Sequence, residues 1–266
     1  MLSIQEQLLF TTLRINGITK KGESFIGTGF LLQRPVGEGK SKIYLVSNKH
    51  VLFDAEKMVI TFTAIGKDGE PDIGKIMNFP IAEIAKNSVG HPNPNVDIAV
   101  IECTGLFLMF PDKMFFKAVD YQMLASFTEP ELSVAENIYF IGYPDNRYDA
   151  KNNLPLVRQG MIASHPKYDY NGDPLFIIDA QVFPGSSGSP VYIDLTYENM
   201  KNGQIAVGGN RKIKLLGIVS QTMIRNNKLQ AVNSSTQYFT QEVLGLGIVF
   251  KATAIKELID RMPTDN

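Results

Sequence analysis

A single cysteine, Cys103, in 266 residues leaves no internal disulfide to form, which excludes the cross-linked scaffolds of small secreted domains. The lone thiol reads as buried and inert. Histidine is almost as scarce. His50, His91 and His165 stand far apart in sequence, and none shares metal-ligand spacing with other His, Cys or Asp residues, so the chain calls for no metal and no cofactor. An excess of one charge is also missing, with 26 Lys and Arg against 27 Asp and Glu. The basic pairs Lys20-Lys21 and Arg211-Lys212 are too short for a phosphate-binding stripe, which argues against a nucleic-acid partner. No apolar run approaches the ~20 residues of a membrane-crossing helix. Met1 to Gln7 lack the basic start and apolar core of a leader. Together these absences point to a cytoplasmic protein with no membrane partner, His91 and His165 lying at the surface or in loops.

What is present is a series of short apolar runs separated by Gly, Asn, Asp and Pro turns. Leu8–Ile18 and Ser24–Leu32 read as a hairpin around Lys20-Lys21-Gly22, followed by strands over 42–47, 59–65 and 97–102. Phe116–Glu131 carries no clear period and reads as a connection. Further strands follow over 137–142, 156–164, 175–180, 189–193, 214–220 and 245–250. At the end Thr253 reads as an N-cap, with Ile255, Leu258, Ile259 and Met262 on one helical face. The pattern is all-β with a C-terminal α-helix, and 44% apolar residues suffice for one large β domain or two barrels.

The chemistry is concentrated in Gly185-Ser186-Ser187-Gly188-Ser189-Pro190. A turn of this composition can hold a serine hydroxyl beside backbone N–H groups, making Ser187 a candidate nucleophile. A serine needs a base and an orienting acid. His50 ends the run Ile43-Tyr44-Leu45-Val46-Ser47-Asn48-Lys49, and Asp97 opens Asp97-Ile98-Ala99-Val100-Ile101. Asp72, Asp112 and Asp120 are the alternative acids. The order His, Asp, Ser opposes an α/β-hydrolase, whose Gly-x-Ser-x-Gly elbow precedes its acid and histidine.

These segments resemble those of the trypsin-like serine peptidases. Val46 to His50 is similar to the family's histidine segment, Val96 to Ile101 to its acid segment, Gly185 to Pro190 to its nucleophile loop, and Leu216 to Ser220 to its groove-lining strand. The second half, with Ile141-Gly142-Tyr143-Pro144 and Leu246 to Phe250, looks closest to HtrA-type and glutamyl-endopeptidase-like branches, without a PDZ module.

The resemblance implies two six-stranded antiparallel barrels of the chymotrypsin type. They occupy 1–115, with His50 and Asp97, and 134–252, with Ser187; 116–133 connects them and 253–266 forms the helix and tail. It also implies peptide-bond hydrolysis through an acyl-enzyme on a polypeptide substrate, with an oxyanion hole at Gly185 and Ser187. Ser220 would touch the acid, and Gln181, Val182, Ser220, Gln221 and Thr222 would bind substrate. Ser186 stands where zymogens activated by a new N-terminus carry an aspartate, which opposes that route. Gln181, where trypsin has its acid, opposes a basic-residue preference. The polar stretch Gln221–Leu244 reads as a long connection able to act as a lid. A catalytically silent peptide-binding or scaffold module is the alternative function.

Overall fold

In a computed structural model of the chain, residues 2–195, 200–201, 204–205, 212–230 and 237–264 are described. The first half contains α1 (Ile4–Leu9), β1 (Thr12–Thr19), β2 (Ser24–Gly37), β3 (Lys40–Ser47), α2 (Lys49–Phe53), β4 (Ala55–Ile65), β5 (Pro71–Ile81), α3 (Ile84–Asn87), β6 (Ser88–Gly90), β7 (Ala99–Glu102), α4 (Thr104–Met109), β8 (Met114–Phe115) and β9 (Val119–Asp120). The second contains β10 (Asn137–Gly142), β11 (Leu156–Ile162), β12 (Leu175–Asp179), β13 (Pro190–Asp194), β14 (Met200–Lys201), β15 (Gln204–Ile205), β16 (Ile213–Gln230), β17 (Gln237–Lys251) and α5 (Ala252–Asp260). The chain is mostly β, with the chymotrypsin-like arrangement of a closed barrel beside a second sheet.

The second half closes into a six-stranded barrel, β10-β11-β12-β17-β16-β13, as expected. The first half is broader than the expected six strands. It is a nine-stranded sheet ordered β5-β4-β1-β2-β3-β7-β6, with β8 added to β4 and β9 lying parallel to β2. The extra width comes chiefly from β5, which pairs with β4 from Met58↔Ile81 to Ile65↔Pro71 and was not read from its mixed polarity. β9 also gives regular pairing to part of the segment read as a plain connection.

Two cores sandwich the middle of this sheet. Successive side chains of a strand point to opposite faces. Phe30, Leu32, Tyr44, Val46, Ile98 and Val100 therefore join one cluster with the barrel interior, while Leu31, Leu45, Ala99 and Ile101 join another inside the first half. A strand buried on both faces needs an apolar residue at every position, so Ile43 to Val46 show no alternation. Each fully buried Leu, Ile or Phe contributes about 1.5–3 kcal/mol by area, an upper estimate. This doubly packed layer fixes β3 and β7 against the barrel. β3 pairs with β7 at Ser47↔Ala99, so the chain following β3 and the chain preceding β7 emerge at the same end.

Four local expectations change. The run expected to be a strand from Leu8 begins as α1 because Ser3 and Glu6 form a reciprocal capping box, Glu6 N–H to Ser3 Oγ at 3.3 Å and Ser3 N–H to Glu6 Oε2 at 2.6 Å. The final helix starts at Ala252 with Lys251, not Thr253, at its N-cap; it buries Ile255, Leu258 and Ile259. His91 lies in a loop, between β6 and β7, but is buried there: its Nδ1 accepts from Asn93 N–H at 3.2 Å, and its Nε2 lies 3.3 Å from Glu257 Oε2 on α5. The Gln221–Leu244 stretch is no irregular connection, since β16 and β17 pair in one ladder that runs out to Gln230↔Gln237. That removes the reason for reading it as a lid; residues 231–236 lie outside the described set. Among the described residues, no helix is long and apolar enough to cross a membrane.

Candidate active site

His50 and Asp97 leave adjacent strands at one end of the first sheet and meet there. After β3 the chain turns into the one-turn helix α2, which carries His50. Asn48 stands at its N-cap without a side-chain capping bond and instead donates from Nδ2 to the Asp97 carbonyl at 2.7 Å. The Asp97 carboxylate accepts from the His50 ring at Nδ1, 2.7 Å away, and from the His50 backbone N–H at 3.1 Å. A carboxylate is acceptor-only, so this contact puts a proton on Nδ1, and in the neutral tautomer Nε2 is then the acceptor. Ser220, at the bend of β16, donates its hydroxyl to Asp97 Oδ2 at 2.7 Å.

The electrostatics follow from these bonds. Burial alone would raise the Asp97 pKa. The His50 ring bond and charge outweigh it, with help from the Ser220 hydroxyl and the His50 N–H, so the carboxyl is held below its ordinary value. Burial lowers the pKa of neighbouring Lys49, opposed by the charge of Asp97. Its ammonium donates to the Asn93 carbonyl at 2.8 Å. Cys103 is buried away from this chemistry, and burial pushes its thiol up to about 12.

Ser187 lies in the loop before β13 and lines the same cleft as His50 and Asp97. Its hydroxyl donates to the Ser220 carbonyl at 2.8 Å, not to His50 as the expected triad geometry requires. Ser220 thus touches the acid through its side chain and the serine through its backbone. The resemblance implies an oxyanion hole in this loop, at the Gly185 and Ser187 N–H groups. Ser186 N–H is taken by the Phe183 carbonyl at 2.9 Å, while those of Gly185 and Ser187 have no protein acceptor among the described residues. Gly185 adopts φ +88°, and a Cβ there would stand 2.4 Å from the Tyr143 carbonyl, so both conformation and space require glycine. Ser186 is buried and uncharged.

The cleft is open, about 650 Å³, and is lined by Lys49, Pro94 and Asn95 together with Val182, Phe183, Pro184, Gln221 and Thr222. Gln181 is a correction to the expected substrate set, because it does not line the cleft. It is exposed and its carbonyl is held by Arg158 Nη1 at 2.5 Å. Phe183 and Pro184 take its place. The sequence reading also missed Asn48 and Thr28. Both are buried polar residues beside the proposed catalytic groups, but neither matches a catalytic residue type, so only their tertiary contacts mark them. Among the described residues no group of His, Cys, Asp and Glu is placed to hold a metal ion.

A model of the trypsin-like peptidase domain matches residues 27–198. Among solved structures, the HtrA-type protease AlgW with tripeptide shares a TM-score of 0.52 at 16% identity, over 96% of this chain and 60% of its own. A protease from M. tuberculosis in its active form gives 0.49 at 16% identity, over 97% and 83%. An inactivated protease paralogue of the scabies mite gives 0.48 at 12% identity, over 96% and 97%. No curated protein matches. The likeness to the HtrA-type protease shows the fold, and this chain spans 60% of that protein's length.

Proposed function

The chain belongs to the trypsin-like peptidase domain family, and on that premise we propose that it is a serine endopeptidase with the triad His50, Asp97 and Ser187. The observation that carries this reading is the bonding of His50 Nδ1 to Asp97 at 2.7 Å in the cleft that Ser187 also lines; the N–H groups of Ser187 and of Gly185, in the loop leading to it, are uncommitted among the described residues. Ser187 would turn its hydroxyl from the Ser220 carbonyl toward His50 Nε2. As Oγ bonds to the scissile carbonyl carbon, its proton passes to Nε2, and the developing oxyanion accepts from the two N–H groups. His50 then protonates the leaving amine as the C–N bond breaks. Water, deprotonated by His50, would bond to the acyl carbon, and as the C–Oγ bond breaks His50 would return the proton to Ser187 Oγ. Asp97 fixes the imidazole tautomer and stabilises the imidazolium.

The substrate would be a polypeptide. Asp97 is the one acid lining the cleft among the described residues, and it is engaged by His50 and Ser220. Recognition there would favour uncharged side chains over basic ones, with Val182, Phe183, Gln221 and Thr222 in contact. A cytoplasmic location is part of this proposal, in keeping with a chain whose one cysteine can form no internal disulfide.

A second reading, a silent peptide-binding module, is favoured by the Ser187 bond to the Ser220 carbonyl. A fluorophosphonate probe separates the two. Labelling of the wild type at Ser187, absent from Ser187→Ala, supports the hydrolase. Ser187→Ala and His50→Ala should each remove nearly all peptide cleavage, and the double variant should be little worse, because residues acting as a unit are non-additive. A well-folded wild type that takes no label and cleaves no peptide sinks the peptidase reading.

A further inference from the structure

Thr28 sits in β2, fully buried, at a point where the strand has lost its neighbour. β3 pairs with β2 only as far as Phe30↔Val46, so the edge of β2 before Phe30 is open on that side. The nucleophile loop fills it. Thr28 N–H donates to the Ser187 carbonyl at 2.9 Å, and the Thr28 carbonyl accepts from Ser47 Oγ at 2.7 Å, three residues before His50. One residue therefore ties the backbone of the proposed nucleophile to the segment that carries its base.

The side chain goes further. Thr28 Oγ1 donates to the Gly185 carbonyl at 2.7 Å and accepts from Tyr143 N–H at 3.3 Å. On the other side of Gly185, the Pro184 carbonyl accepts from Asp145 N–H at 2.6 Å. The carbonyls flanking Gly185 are thus both pinned. In a trans peptide the N–H points opposite to the C=O. With the Pro184 carbonyl held on Asp145, the Gly185 N–H in the same peptide must face away from the Tyr143–Asp145 loop. That loop is itself unusual: Asp145 and Asn146 are consecutive non-glycine residues at φ +48° and +54°. Two left-handed residues in a row persist only where surrounding contacts hold them. The Thr28 hydroxyl is one such contact, since it bonds to Tyr143 and to Gly185 at once.

We propose that Thr28 is a positioning residue for catalysis: its hydroxyl locks Gly185 and the Tyr143–Asp145 loop together so that the Gly185 N–H stays aimed at the developing oxyanion. The proposal rests on the peptidase reading above. It goes beyond that reading by assigning the orientation of the oxyanion donor to a side chain of the other half of the molecule.

Thr28→Val keeps shape and both backbone bonds but removes the hydroxyl. Thr28→Ser restores it. Thr28→Val should lower kcat on a peptide substrate by about ten- to hundredfold, part of the loss seen when an oxyanion donor is removed, with KM little changed. It should weaken a peptidyl aldehyde, whose adduct with Ser187 carries the oxyanion, by a similar factor. Affinity for the matching peptide alcohol, which forms no adduct, should stay the same. Thr28→Ser should recover most of the loss in both assays. If Thr28→Val does not fold, Thr28→Ala provides the same hydroxyl deletion without added bulk. A folded hydroxyl-deleted variant with wild-type kcat and aldehyde affinity overturns the assignment. So does equal weakening of aldehyde and alcohol, which would mean general damage to the cleft. Fluorophosphonate labelling of wild-type Ser187 is the separate control: its failure overturns the peptidase reading, whereas Thr28 is judged only on enzyme that labels.

Discussion

Gly188→Ala tests whether the nucleophile loop is held rigidly against β2. Gly188 has φ +92°, and a Cβ built there would lie 1.7 Å from the Thr28 carbonyl oxygen and 2.7 Å from Ser47 Oγ. To reach an ordinary contact the loop and β2 must separate by roughly 1.5 Å. The left-handed backbone adds about 1–2 kcal/mol for a residue with a Cβ. The separation also breaks the 2.9 Å bond from Thr28 N–H to the Ser187 carbonyl, and a buried group left unpaired costs about 1–3 kcal/mol. The sum is about 2–5 kcal/mol. For a chain of this size that is a fall in Tm of roughly 4–20 °C, at about 2–4 °C per kcal/mol. Turnover should suffer separately, because a misplacement of about 1 Å can cost on the order of 10²-fold. Thermal unfolding followed by circular dichroism gives the first quantity, and peptide cleavage well below the new Tm gives the second. An unchanged Tm with unchanged turnover would show that the loop yields freely, and the geometric argument for Thr28 would fall with it.

Two further outcomes follow from the charges and the thiol. Asp97 has its folded pKa below the ordinary 3.8, so its contribution to stability is fully present above that value and is lost as pH falls through the lower folded one. Asp97→Asn should therefore flatten the acid limb of the stability curve below about pH 4, read as Tm against pH, and an acid limb identical to wild type refutes the assignment. Cys103, buried with its thiol raised to about 12, should resist iodoacetamide in the native protein and react once denaturant unfolds it. Rapid native labelling would show that the first-half core opens readily.

The local pattern carried much of the molecule. Runs such as Tyr139 to Ile141 and Phe176 to Ile178, short, apolar and bounded by turn residues, read as strands and are strands, and the C-terminal helical face announced itself through Ile255, Leu258 and Ile259. His50, Asp97 and Ser187 were legible as candidates because each stands at the end of an apolar run or in a Gly-Ser turn, and such positions put a side chain at a strand terminus. Other features depended on distant partners. The polarity of β5 becomes intelligible only once β4 is beside it, and the Gln221–Leu244 stretch became two ladder strands because each supplies the other's backbone hydrogen bonds.

Composition and short-range periodicity are properties of the chain alone, and they were enough for the residue types available for chemistry, the mostly-β class and the lack of an internal disulfide. Tertiary structure decided which groups meet. It placed the Ser187 hydroxyl on the Ser220 carbonyl, took Gln181 out of the cleft, buried His91 against Glu257 and brought Thr28 beneath Gly185, 157 positions away in sequence. Hydrogen bonds form over about 3 Å whatever the chain separation, so residue types and spacing name the candidates while the packed fold selects their partners.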